Sequence, residues 1–291
     1  MEKRIEFEVD GSLVVGNLHL PGGKGPFPAV ITGGPMTSVK EQVTGTYATA
    51  LAARGIASLA IDHRHYGESG GEPRQYEYYP HKIEDLQAAV TALLTRPEID
   101  RDRIGAVGIC LGSGYLAHAI KNMPEVKAFA AIAGYYRDVP AMQLSDPAGF
   151  REKVAQGATA REKYEATGEV ETIPAVSLDQ DAAMTLQSTY DYYSDRAAHP
   201  NYVNAFAVMS REFFLQFDVQ SAATELSQPF LMIHGPNALN PAWADKFYDT
   251  VSTPKSRYEI TSKGQTDIYD DPNIVSDASD RAASFLTYAF S

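Results

Sequence analysis

The sequence predicts an α/β protein: a mostly parallel central sheet with helices on both faces and a helical cap inserted in its second half. Three observations carry this expectation. Short apolar runs alternate with segments of helical period, and each run is apolar on both faces, as strands buried between two helical layers are. Strand signals then vanish over residues 140–223, where charged helical segments and a tyrosine-rich stretch take over. Finally, R-I-G-A-V-G-I-C-L-G-S-G (residues 103–114) places a β-rich run, a tight glycine-flanked turn and a helix-like segment in immediate succession. The expected core is therefore residues 1–139 and 224–291, with residues 140–223 as the cap. A chain of 291 residues with 44% hydrophobic content can bury one large core together with such an insertion.

In chain order, residues 4–9 and 13–20 alternate apolar and polar around Asp10-Gly11, which reads as an opening hairpin. A Gly/Pro loop (21–28) leads to a short strand (29–32) and then Gly33-Gly34-Pro35-Met36. A helix over 41–54 is closed by Gly55. A buried strand (56–61) ends in Asp62, before the polar loop D-H-R-H-Y-G-E-S-G-G-E-P-R. Residues 81–94 carry Ile83, Leu86, Val90 and Leu93 on one helical face. After the Cys110 strand and its helix comes another strand (126–133). Beyond the cap follow a strand (229–234), a helix (241–251), a strand (257–260), a loop (261–272) and a final helix (274–290).

Composition excludes several classes. The formal net charge of −12, without any Lys/Arg cluster, argues against nucleic acid as partner. A single cysteine rules out an intrachain disulfide scaffold. The charged start M-E-K-R-I-E-F-E is no signal peptide, and no apolar run reaches membrane length, so a soluble cytoplasmic protein is expected. Neither a metal-ligand spacing nor a dinucleotide fingerprint is present, and no cofactor is expected.

The chemistry centres on Gly108-Ile109-Cys110-Leu111-Gly112. A nucleophile on a strained strand-to-helix turn needs small flanking residues so that strand and helix can pass closely. Cys110 then projects outward, and the N–H of Leu111 lies at a helix start, facing any developing oxyanion. The same helix end favours a thiolate. A buried structural cysteine is the alternative.

The hairpin, elbow, inserted cap and terminal strand, loop and helix resemble the α/β-hydrolase fold. V-K-E-Q (39–42), residues 62–74, K-I-E-D-L (82–86), residues 103–110, H-P-N (199–201) and D-I-Y-D (267–270) are similar to the dienelactone-hydrolase-related group. That group includes bacterial hydrolases of unassigned substrate and fungal polyketide-processing acyl transferases. The resemblance implies acyl chemistry in which Cys110 attacks a carbonyl. The N–H of Leu111 and one from the loop after the 29–32 strand, Met36 first and Thr37 next, would form the oxyanion hole. It also makes Glu41 a candidate for contact with the thiol, against the alternative of a helix N-terminal charge.

The chain departs from the family where a base is needed. The family histidine precedes the tyrosine of an aspartate-x-tyrosine-aspartate run by four residues; here that count gives Gln265, or Asp267 when anchored on Gly264, and no histidine follows His234. Glutamine can donate or accept a hydrogen bond but cannot take a proton at neutral pH. The loop G-P-N-A-L-N-P (235–241) supplies no carboxylate, leaving Asp138 as a substitute acid or a helix cap. His234, His199, His63 and His65 are weaker substitutes for the base. Tyr135, Tyr193 and His199 are the candidate substrate-binding residues.

The expected partner is a small acyl substrate, apolar or aromatic, and a homo-oligomer is left open. Three functions fit: a Cys-dependent hydrolase or acyltransferase on an ester, lactone or thioester; a binding protein or pseudoenzyme on the same fold; and a hydrolase with glutamine substituted for its histidine.

Overall fold

The computed structural model describes residues 1–291. Strands β1 (Glu2–Val9) and β2 (Ser12–His19) form the expected hairpin about Asp10 and Gly11, both at positive φ. There follow β3 (Phe27–Gly33), α1 (Val43–Ala52), β4 (Ala57–Asp62), α2 (Tyr79–Leu94), β5 (Ile99–Ile109), α3 (Leu111–Ile120) and β6 (Val126–Ile132). Helix α1 begins two residues later than its pattern indicates. The Gln42 carboxamide is spent on the Val39 N–H, so the first turn lies beyond it.

The next segment contains α4 (Val139–Ser145), α5 (Pro147–Thr167), β7 (Thr172–Ile173) and α6 (Gln187–Asp191). A π-helical turn (Tyr192–Arg196), β8 (Phe206–Ala207), α7 (Ser210–Phe214) and a 3₁₀ turn (Gln220–Thr224) complete it. Strand signals are not wholly absent here. β7 and β8 pair as a two-residue antiparallel ribbon, too short for any periodicity to reveal. The chain ends with β9 (Phe230–His234), α8 (Pro241–Thr250), β10 (Lys255–Glu259), α9 (Asp267–Asp270) and α10 (Pro272–Ala289). Thus the stretch expected to be a loop before the last helix holds the single turn α9.

The eight-stranded sheet runs in the order β1-β2-β4-β3-β5-β6-β9-β10. β1 and β2 are antiparallel; from β4 through β10 every neighbouring pair is parallel. β4 is buried along its whole length, as are the C-terminal halves of β5 and β6, which is what two helical layers require. One continuous apolar core joins the sheet to Ala175, Val176, Tyr192 and Phe206 of the inserted segment, so that segment packs directly onto the sheet layers. No helix is long and apolar enough to cross a membrane.

In a parallel sheet the C-terminal strand ends share one edge, where ligand sites of open α/β sheets collect. Residues just beyond β3, β5, β6, β9 and β10 converge there, and the inserted segment roofs them.

Candidate active site

Cys110 joins β5 to α3 with φ 54° and ψ −127°, a conformation that costs a non-glycine residue about 1–3 kcal/mol. Its surroundings hold it there. The Cys110 N–H donates to Ile132 O at 3.2 Å, and its carbonyl accepts from Ser113 N and Tyr135 N at 3.1 and 2.9 Å. The flanking glycines are demanded by sterics. A Cβ on Gly108 would lie 2.5 Å from Ser113 Cα, and one on Gly112 would lie 2.2 Å from Gly33 O. The spacing read in the sequence is therefore the close passage of strand, helix and the loop after β3.

Cys110 is 6% exposed and opens into a cavity of about 290 Å³. Met36, Leu111, Tyr135, Tyr193 and Gln265, five of the residues singled out from sequence, line it with Cys110. Tyr135 stacks on Trp243, and Tyr193 packs between Tyr192 and Tyr202. Met142, Met184, Leu186 and Phe214 close the roof, so the walls are predominantly apolar.

The loop after β3 is fixed by side-chain acceptors. Glu77 Oε2 takes the Thr37 N–H (2.9 Å), Gln42 Oε1 that of Val39 (3.1 Å), and Asp62 Oδ1 that of Lys40 (2.8 Å). Thr37, at φ 60°, is therefore not free to serve as the second oxyanion donor. Met36 N–H has no acceptor and stands in the cavity wall beside Leu111. Glu77 is fully buried, with Tyr115 Oη donating to it at 2.6 Å and Lys82 Nζ 3.0 Å away. Burial pushes the Glu77 carboxyl up, but Lys82, the hydroxyls of Tyr115 and Tyr66 and the Thr37 N–H outweigh it and hold it below the usual carboxylate range.

Gln265 lines the cavity with Cys110. Its orientation is fixed by Leu239 N–H, which can only donate, and Ala133 O, which can only accept. Oε1 accepts from Leu239 N (2.9 Å), while Nε2 donates to Ala133 O (2.7 Å) and to Tyr269 Oη (3.1 Å). Tyr269 lines the cavity with Cys110 and is close enough to act on the thiol. Its burial keeps the phenol protonated far above its ordinary range, so it donates. Burial also pushes the Cys110 thiol up, and Tyr269, the Leu111 N–H and Gln265 counter this only in part. The cavity wall holds no histidine.

Several sequence expectations are corrected. Glu41 does not reach the thiol: its carboxylate accepts from Lys40 Nζ (2.7 Å) and Asn201 Nδ2 (2.9 Å). Asp138 does not line the cavity: it caps α4 through Ala141 N (3.1 Å) and pairs with Lys246. His199 lies outside the cavity, 3.8 Å from Glu41. Of the substitute bases, His63 is held by Asp85 (3.2 Å), His65 contacts His81 (2.8 Å), and His234 is fully buried away from the cavity. Glu41, Asp62 and Glu68 come together, but the Lys40 ammonium already sits among them and supplies their cation.

Sequence reasoning overlooked Tyr269 as thiol partner, Glu77 as the clamp on the loop after β3, and Arg137 in the cavity wall. Tyr269 belonged to a motif used only for alignment. Arg137 follows β6 by five residues, and its significance, a buried charge without a carboxylate partner, is visible only in the structure.

A cysteine elbow at the C-terminal end of the central strand, the backbone of Leu111 and Met36 in the same cavity wall and an inserted roof define an α/β-hydrolase. A sequence profile of the dienelactone hydrolase family matches residues 73–226, and one described as esterase FrsA-like matches residues 1–143. The chain belongs to the dienelactone hydrolase family, among hydrolases of the dienelactone hydrolase and esterase type. It is 31% identical over 275 residues to the uncharacterized protein YcjY of Escherichia coli K12, covering 89% of this chain and 88% of that one. The crystal structure of the hypothetical protein PA2218 from Pseudomonas aeruginosa superposes with a TM-score of 0.86 at 28% identity, over 99% of this chain and 94% of that one. A 107-residue stretch is 42% identical to the thiohydrolase aneE of Aspergillus aculeatus, covering 36% of this chain and 33% of that protein.

Proposed function

We propose that the chain moves acyl groups through a Cys110 thioester, with a thioester as the preferred donor. The observation that carries this reading is Cys110 on a strained elbow, with the Leu111 N–H directed at its sulfur, the unpaired Met36 N–H in the same wall and Gln265 fixed where a base is expected. The Cys110 sulfur attacks the carbonyl carbon, and the oxyanion is received by Leu111 N–H and Met36 N–H. Collapse breaks the bond to the leaving sulfur, which departs as a thiolate and takes up the proton that Cys110 lost. Because the two thiols are of comparable basicity, the exchange needs no dedicated base, whereas an alkoxide leaving group would need an acid.

The second step separates transfer from hydrolysis. Water must lose a proton to attack the acyl-enzyme, and Gln265 cannot accept one. An amine, thiol or activated hydroxyl on an acceptor can proceed without that help, so transfer or cyclisation is favoured over hydrolysis. A relative named a thiohydrolase agrees with thioester chemistry.

Intact mass after incubation with butyryl-N-acetylcysteamine, alongside Cys110→Ala, tests this. The expected result is one butyryl adduct that requires Cys110 and persists for many turnovers' worth of time. Rapid turnover without an adduct would show that some group replaces the histidine after all. Neither adduct nor turnover would sink the proposal in favour of a ligand-binding protein.

A further inference from the structure

Five cationic side chains of this protein are buried, and four of them have a carboxylate at hand. Arg64 lies 2.6 Å from Asp85, Arg211 2.7 Å from Asp181, Lys40 2.8 Å from Asp62 and Lys82 3.0 Å from Glu77. Arg137, only 2% exposed, has none within ion-pairing distance. Of its five N–H donors, one is used, from Nη2 to Leu215 O at 3.1 Å; Nε is buried without a partner. The guanidinium carbon lies over the Phe214 ring, 4.3 Å from its centre. The nearest acidic residue acting on it, Asp218, has its oxygens committed to Val139 N and Ser221 N.

An unpaired charge in an apolar enclosure is costly, and proteins ordinarily neutralise it or supply its counter-ion. Arg137 forms part of the wall of the Cys110 cavity. The missing counter-charge therefore belongs to whatever fills that cavity. We infer that the substrate carries a carboxylate in its acyl part and that Arg137 binds it.

A planar fork with free donors matches a carboxylate in two-point contact, which an apolar or aromatic acyl group cannot provide. At ~30 Å³ per water-sized group, the 290 Å³ cavity holds roughly ten non-hydrogen atoms. That suits the acyl half of a small dicarboxylic acid, such as a glutaryl group, with the carboxylate on Arg137 and the thioester carbonyl at Cys110. The inference rests on the proposed acyl transfer and departs from the apolar or aromatic substrate expected from the tyrosine-rich segment.

The test compares Cys110 acylation by glutaryl-N-acetylcysteamine with that by its methyl ester, a neutral probe of nearly equal size. The free acid should react on the order of tenfold faster or more. Arg137→Gln should bring this ratio to about one, and Arg137→Lys, which keeps charge without the fork, should give an intermediate ratio. A ratio near one in the unaltered protein, or one that survives Arg137→Gln, would overturn the inference. If neither probe acylates Cys110, the acyl-transfer reading fails on its own. Calorimetry with glutarate on Cys110→Ala then decides about Arg137: binding that disappears when Arg137→Gln is added supports its role, and no binding overturns it.

Discussion

The Gln265 amide nitrogen lies 3.1 Å from the Tyr269 hydroxyl oxygen and donates to it, which leaves the phenolic proton available to the nearby Cys110 sulfur. A glutamine at the base position therefore has a definite effect. It makes a tyrosine the thiol's neighbour of consequence, and that tyrosine is a donor. Such an arrangement stabilises a thiolate once formed without removing the proton that forms it.

Tyr269→Phe removes that donor. The Cys110 thiol, already raised by burial, should rise further, because Tyr269 is the strongest of the influences holding it down. Alkylation by iodoacetamide at pH 7.5 should slow by about 3- to 10-fold, a tenfold loss corresponding to one unit of pKa. An unchanged rate would mean that the hydroxyl does not address the sulfur.

The pH profile of the unaltered protein follows from the same shift. A thiol above the ordinary value of roughly 8.5 gives an alkylation rate that climbs about tenfold per pH unit through pH 7 and 8 without levelling off. No inflection is expected between pH 6 and 7, since the cavity wall contains no histidine. A plateau below pH 8 would contradict the burial argument.

Gln265→His is the obvious repair, and the backbone limits it. Leu239 N–H, which now donates to Oε1 at 2.9 Å, would donate to Nδ1 of an imidazole in the same place. That fixes the proton on Nε2, the nitrogen facing the thiol, so the ring presents a donor where a base is needed. Loss of the butyryl adduct, followed by intact mass, should quicken by less than about tenfold. A far larger gain would show that the ring escapes the Leu239 contact.

The elbow was legible because its requirement is local. Glycine at both flanks of Cys110 is imposed by atoms within a few residues or on the adjoining strand, so the motif appears in one short window. The strand-helix alternation was legible for the same reason. The polar site was not. Glu41 at a helix start reads the same whether it faces a thiol or, as here, Lys40 and Asn201, the latter 160 residues away. Asp138 reads as an acid or a cap until Lys246 is seen beside it. Arg137 matters because a partner is missing, and an absent contact leaves no trace in sequence. Glu77 was passed over because its partners, Thr37 and Tyr115, lie 40 and 38 residues off in opposite directions.

Glu77 gives the last prediction. It is fully buried, neutralises Lys82 at 3.0 Å and pins the Thr37 N–H, the residue next to the free Met36 donor. Glu77→Ala strands the buried ammonium and should cost about 3–5 kcal/mol in denaturant unfolding. Glu77→Gln keeps an acceptor for Thr37 but loses the charge, and should cost less. The carboxyl is held below its usual range, so its contribution is complete above roughly pH 4.3 and is lost as the pH falls through its folded value; the gap between the unaltered protein and Glu77→Gln should narrow in that window. A purely structural role would end there. Alkylation of Cys110 makes no oxyanion, whereas acylation does, so a clamp on the oxyanion loop predicts unequal losses. In Glu77→Gln, butyryl transfer to Cys110 should fall on the order of tenfold more than iodoacetamide alkylation. Equal losses in both reactions would confine Glu77 to stability.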